Sequence, residues 1–169
     1  MVKIKTLKII SLFLILIATS FFGLFTINYT AEQPSLPSAE LPVVITSCGQ
    51  SPDANIVNLL AKRIDLEVTY NPLIKANEMD GFKTLIFVIG GSGKGLGAAG
   101  VDIPEEIERS EEVLKKAKES KMFILGMHIG GEARRGPNSA YFIPFAADVD
   151  YLIVREDGKV VSVIDNSIS

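Results

Sequence analysis

The chain has 169 residues, a formal net charge of -3 and 47% hydrophobic residues, a balance that suits one globular domain plus an unusually apolar segment. No basic stripe occurs beyond the first eight residues, which excludes an electrostatically recruited nucleic-acid partner. The single cysteine, Cys48, excludes an internal disulfide, so the folded part must be held by its core.

The apolar excess sits at the front. Lys3, Lys5 and Lys8 precede an uncharged run over residues 9–27, which at about 1.5 Å per residue spans roughly the 30 Å of a hydrocarbon core. This predicts a cytoplasmic n-region at residues 1–8 and a transmembrane anchor or signal segment at 9–27, with the rest of the chain on the extracytoplasmic side. An uncleaved anchor is the preferred reading, because a cut after Ser20 would leave FFGLF at the new terminus; if the segment is cleaved, the domain is secreted. Residues 28–42 are polar and carry Pro34, Pro37 and Pro42, the composition of an extended linker. The domain proper is expected over residues 43–169.

Val43 to Thr46 is a short β-branched run, expected as a buried strand. Ser51-Pro52-Asp53 predicts a helix start with serine as N-cap, and Ile56, Val57, Leu60, Ala61 and Ile64 repeat at helical spacing as its core face. Leu66 to Tyr70 alternates, as a strand nearer a sheet edge does. Residues 71–82 form an irregular connection. Leu85 to Ile89 is fully apolar, a central strand that feeds the glycine-dense stretch Gly90 to Gly100, GGSGKGLGAAG, expected as a loop. Pro104 opens a second helix with Ile103, Ile107, Ser110, Leu114 and Ala117 on one face. Its first turn holds Glu105 and Glu106 and its last Lys115, Lys116 and Lys118, the order the helix dipole favours. Glu111 with Lys115 and Glu112 with Lys116 are expected as i to i+4 pairs. Met122 to Met127 is a further buried strand, ending at His128 and a second glycine-bearing loop, IGGEARRGP. Residues 138–147 favour a short helix. Tyr151 to Val154 and Val160 to Ile164 are β-rich and flank Asp157-Gly158, a hairpin turn or short connection.

This succession predicts an α/β fold of three layers: a mostly parallel sheet, flavodoxin-like or Rossmann-like, covered on both faces. Right-handed crossovers make 2-1-3-4-5 the expected strand order. Three loops, at residues 47–53, 90–100 and 128–137, would then leave the carboxyl ends of their strands, where open α/β sheets bind ligands.

Two nucleotide motifs fail in the glycine stretch. The G-x-x-x-x-G-K-[ST] pattern finds Val88 and Gly95 where it needs a glycine and a hydroxyl, and the G-x-G-x-x-G match at Gly95 to Gly100 does not bridge strand to helix. No cofactor is expected. Anion binding by the backbone of Gly91 to Gly95 with Lys94, Arg134 and Arg135 is the milder reading. Asp53, Asp102, Glu105 and Glu132 sit at the same edge, so an internal salt-bridge network is the competing account of those cations. The expected ligand-binding set is Ser47, Cys48, Gln50, Ser51, Gly91, Ser92, Lys94, His128, Glu132, Arg134 and Arg135. A hydrolase would use Cys48, Ser47 or Ser92 as nucleophile and His128 as base, but no G-x-S-x-G elbow is present. His128 and Glu132 stand four apart on a glycine loop rather than on one helix face, and no metal is expected. An exposed apolar patch around Leu96, Ala98, Ala99 and Val101 would instead mark a docking module for an envelope or transport partner.

The segments ITSCGQSPD, GGSGKGLGAAGVD and HIGGEARRGPNS together resemble a family of exported or membrane-anchored bacterial proteins defined by a domain of unknown function. The resemblance covers roughly Pro42 to Val154 and implies that the three loops form one signature; it carries no activity or residue role. The expectation is a membrane-anchored extracytoplasmic domain that binds a small polar or anionic ligand without chemistry of its own, with the hydrolase and the docking module as alternatives.

Overall fold

Strands that are apolar on both faces must be covered on both faces, because neither row of side chains can be left to water. β1 (Val43–Cys48) and β3 (Thr84–Ile89) are of this kind, and every residue of both is buried. The structure is a computed structural model that describes residues 38–155. The chain divides into two units, Met1–Leu36 and Pro37–Ser169. The first unit, with the expected membrane segment at 9–27, and the expected strand Val160 to Ile164 lie outside the described residues. Among the described residues no helix is long and apolar enough to cross a membrane.

With β2 (Val68–Tyr70), β4 (Phe123–His128) and β5 (Tyr151–Val154) the sheet has the order β2-β1-β3-β4-β5. Every pairing in it is parallel, so the expected order holds and all strand carboxyl ends share one edge. Helix α1 (Asp53–Arg63) covers one face, with Ala54, Val57 and Ala61 packed on Val43, Ile45, Ile86 and Val88. Helix α3 (Ile103–Glu119) covers the other, where Val113, Leu114 and Ala117 meet Val44, Leu85, Phe87 and Ile124. Helix α2 (Gly93–Ala99) and helix α4 (Pro137–Ala140) are short and belong to the loop edge. Short stretches of 3-10 helix occur at Ala76–Glu78, Gly131–Arg134 and Ile143–Asp148.

Three local expectations change. The stretch Gly90 to Gly100 is not all loop: Ser92 caps α2 by accepting from the Gly95 N–H at 3.1 Å, and Gly100, at φ 71°, closes it. Helix α1 is rotated from its expected face. Val57 and Ala61 are buried, but Ile56, Leu60 and Ile64 are 46%, 47% and 74% exposed and Leu59 joins them at 55%. The small Ala54 and Ala61 allow close approach to the sheet, and the buried Asp53 and Asn58 take the remaining inner positions. Helix α3 opens with a reciprocal capping box, Asp102 to Glu105. Its lysines bridge to other elements, Lys116 to Asp80 at 2.7 Å and Lys118 to Asp148 at 2.6 Å, where Glu112 had been expected as the partner of Lys116.

Candidate functional site

β1 ends in a turn whose shape is set from below. Gly49 and Gln50 both have positive φ, 97° and 54°, and the second is costly for a residue with a side chain. A fully buried carboxylate holds them there. Glu106 Oε1 accepts from the Gly49 N–H at 2.9 Å, the Gln50 Nε2 at 3.0 Å and Arg109 Nη2 at 2.8 Å, and Oε2 accepts from Arg109 Nε at 2.8 Å. The guanidinium also donates to the carbonyls of Ile74 and Ser47. Both oxygens of a buried charge are thereby satisfied by a bidentate partner and two further donors, as a carboxylate without solvent requires. The amide of Gln50 also donates to the Pro72 carbonyl at 2.9 Å. Gln50, expected at the ligand, is therefore an internal brace. Glu106 had been assigned only to the helix dipole; the available signal was an acid inside the buried stripe of α3 with an arginine three residues on.

The glycine loop is braced in the same way. Gly90 N–H donates to the Cys48 carbonyl at 2.8 Å and Ser92 N–H to the Gly49 carbonyl at 2.9 Å. Gly91 N–H donates to Ser139 Oγ at 3.0 Å. A Cβ at Gly95 would overlap the Gln50 carbonyl, and one at Gly91 would overlap the Asn138 carbonyl. These glycines permit backbone to meet backbone across three loops. The N–H groups of Gly91, Ser92 and Gly95, expected to face an anion, are committed within the chain, and Lys94 is left exposed on α2. Ser51 is buried, with its hydroxyl accepting from the Asp53 N–H at 3.1 Å, but Pro52 rather than Ser51 takes the N-cap position, so the serine acts two residues before the first helical residue.

Among the described residues six side chains hold a buried polar atom without a hydrogen bond, Thr46, Asn58 and Ser110 within the layers and Ser47, Asp53 and His128 at the strand ends. His128, 4% exposed, points Nδ1 at the Ile89 carbonyl, 2.9 Å away. A carbonyl only accepts, so Nδ1 carries the proton. Nε2 is buried with no partner among the described residues. Asp53, 3% exposed, heads α1. Arg134 Nε reaches Oδ1 at 3.5 Å and lies 3.3 Å from Oδ2, but it makes no aligned hydrogen bond to Oδ2. Ser47 Oγ, fully buried on the face of β1 that α1 covers, is the third. Gly130 lets the first two loops meet the last: a Cβ there would overlap both the Arg134 stem and Asp53 Oδ2, while one at Gly90 would lie 3.7 Å from that same oxygen.

Cys48 and His128 do not pair as a nucleophile and base would. They stand on opposite sides of β3, since Cys48 is in register with Ile89 and His128 follows Met127, the partner of Val88. Two strand spacings separate them, about 9–10 Å between backbones. Burial pushes the Cys48 thiol far above its ordinary value, against the opposing pull of Ser110. Such a thiol is a core residue rather than a nucleophile. Glu132 and Arg135 are exposed. Of the expected exposed patch Leu96 is buried, Ala99 and Val101 are half-buried and Ala98 is exposed; larger exposed apolar side chains include Ile56, Leu59, Leu60 and Ile64 on α1. A hollow of about 450 Å³ lies between Lys75–Asn77 and the outer side of α3, and one of about 320 Å³ at the start of β1 and β2. Neither adjoins the loop edge.

Fold and edge together define an open, all-parallel α/β domain whose polar loops gather at the carboxyl ends of its strands. The chain belongs to the family described as Domain of unknown function (DUF6305), whose model matches residues 40–168, in agreement with the resemblance carried by the three loop motifs. No curated protein matches it. Among solved structures it is similar to the psychrotrophic esterase EstA from Pseudoalteromonas sp., in a crystal structure inhibited by monoethylphosphonate, at 8% identity and a TM-score of 0.36, over 67% of this chain and 75% of that one.

Proposed function

We propose that this chain is a membrane-tethered extracytoplasmic domain that binds a small polar ligand at the carboxyl edge of its sheet. One observation carries the reading: Asp53 Oδ2 and His128 Nε2 are buried acceptors without a hydrogen bond among the described residues. A buried polar atom left unsatisfied costs about 1–3 kcal/mol, a cost that a ligand bringing donors offsets. The position favours the same reading, because ligands of open α/β sheets are held at strand carboxyl ends. The nature of the free atoms narrows the earlier expectation from polar or anionic to a ligand that donates hydrogen bonds. The tether rests on Lys3, Lys5 and Lys8 before the apolar run of residues 9–27. The test is a thermal-shift screen of the full-length protein in mild detergent against glycerol, ethanolamine, succinate and inorganic phosphate. A rise in Tm with glycerol or ethanolamine supports the site, and no response to any of the four contradicts it.

A further inference from the structure

We infer that Arg134 is a built-in occupant of the site and that the ligand is a cation, an ammonium or guanidinium group that displaces it from Asp53. The inference rests on the binding reading above and names the ligand's charge. Asp53 is the buried partner and Arg134 the accessible one: their side chains are 4% and 30% exposed. The contact between them is loose. Its distances of 3.3 and 3.5 Å exceed the roughly 2.7–2.9 Å of a well-made charge-assisted bond, whereas the Glu106–Arg109 pair in the same molecule closes at 2.8 Å. The guanidinium meets one carboxylate oxygen and leaves the other without a hydrogen bond. A free cation with several donors can satisfy both.

Gly130 makes the exchange possible. The Arg134 stem lies over the place where a Cβ would stand, beside Asp53 Oδ2, so a swing of one half-exposed side chain uncovers the carboxylate without moving the sheet. The carrier is the single 3-10 turn Gly131–Arg134. The other polar groups of the loop edge are consistent with a cation. In the neutral imidazole His128 Nε2 is an acceptor, since Nδ1 donates to Ile89, and of the five N–H groups expected to face an anion, those of Gly91, Ser92 and Gly95 are engaged within the chain. Lys94, Glu132 and Arg135 are exposed at the same edge, so the screen includes an anion.

The sign of one substitution decides the matter. Binding of methylguanidine, ethanolamine and inorganic phosphate to the full-length protein would be measured by calorimetry for the wild type, Arg134→Ala, Arg134→Gln and Asp53→Asn. Removing the competitor is expected to tighten methylguanidine and ethanolamine at least about fivefold in both Arg134 variants, as follows when the uncovered state holds about one fifth of the molecules or less. Asp53→Asn is expected to abolish their binding. Arg134→Gln keeps the stem over Gly130, so it guards against a folding defect in the alanine variant. Weaker binding of either cation in the Arg134 variants, or phosphate binding that Arg134→Ala removes, overturns the inference and makes Arg134 a ligand contact. Silence of all three probes with the wild type and every variant overturns the binding reading itself.

Discussion

Gly95 and Gly97 are two residues apart in α2 and answer to opposite demands. A methyl group on Gly95 would enter the Gln50 carbonyl, whereas nothing lies within 4 Å of the corresponding position at Gly97. Gly95→Ala should therefore cost about 1–3 kcal/mol or more through overpacking, and Gly97→Ala should gain about 0.5–1 kcal/mol from helix propensity; urea midpoints of the two variants check the opposite signs. Composition made the glycines visible but not their purpose, because the backbones they approach belong to Gln50 and Asn138, some forty residues away on either side. Cys48 makes the second residue-scale case. Its thiol is held above its ordinary value of 9.0 by burial, so the folded state favours the neutral form. The sign follows: the contribution is fully present below pH 9, and it is lost progressively as pH rises above the value of the unfolded chain, where the unfolded thiol ionises. The decline in stability between pH 9 and 11 should be shallower in Cys48→Ala, and iodoacetamide at pH 8 should label the wild type only after unfolding.

At the scale of elements, the carboxyl edge is assembled by α3 reaching under two loops. Glu106 and Arg109 sit one turn apart and tie the Gly49–Gln50 turn, the Ile74 carbonyl and the end of β1 to one helix. Breaking a buried pair from one side strands the other charge, so Glu106→Gln and Arg109→Met should each cost about 3–5 kcal/mol. The double variant should lose clearly less than the sum, because the stranded charge is gone; a double-mutant cycle in urea measures this. The strands were legible because β1 and β3 are continuous apolar runs that only a doubly covered sheet can use, and α3 because its acids, capping residue and lysines agree in direction. The face of α1 was not. Its apolar residues fill two overlapping stripes, and the choice fell to Ala54, Ala61, Asp53 and Asn58, small or polar residues that a hydrophobic pattern does not weigh. Glu106 was missed for the related reason that an acid in a first helical turn already has a local explanation.

At the scale of the molecule, the order β2-β1-β3-β4-β5 followed from handedness and burial alone, and with it the meeting of the three loops at one edge. What the sequence concealed is which polar groups there are complete. Gln50, Ser51 and the N–H groups of Gly90, Gly91 and Gly95 are engaged within the chain, while Asp53, never among the expected ligand residues, stands with His128 and Ser47 as incomplete. The tether reading predicts that the full-length chain remains in the membrane pellet after an alkaline carbonate wash, and that protease added outside spheroplasts removes the domain. The central claim, that Asp53 and His128 receive donors from a ligand, is tested most directly on the one histidine of the chain, whose ring nitrogens give a single pair of 15N resonances. In full-length protein titrated with ethanolamine, the account predicts that the Nε2 resonance moves with saturation while Nδ1, fixed on the Ile89 carbonyl, stays nearly still, and that Asp53→Asn removes the response. An Nε2 resonance that ignores ethanolamine, glycerol and methylguanidine alike would contradict it.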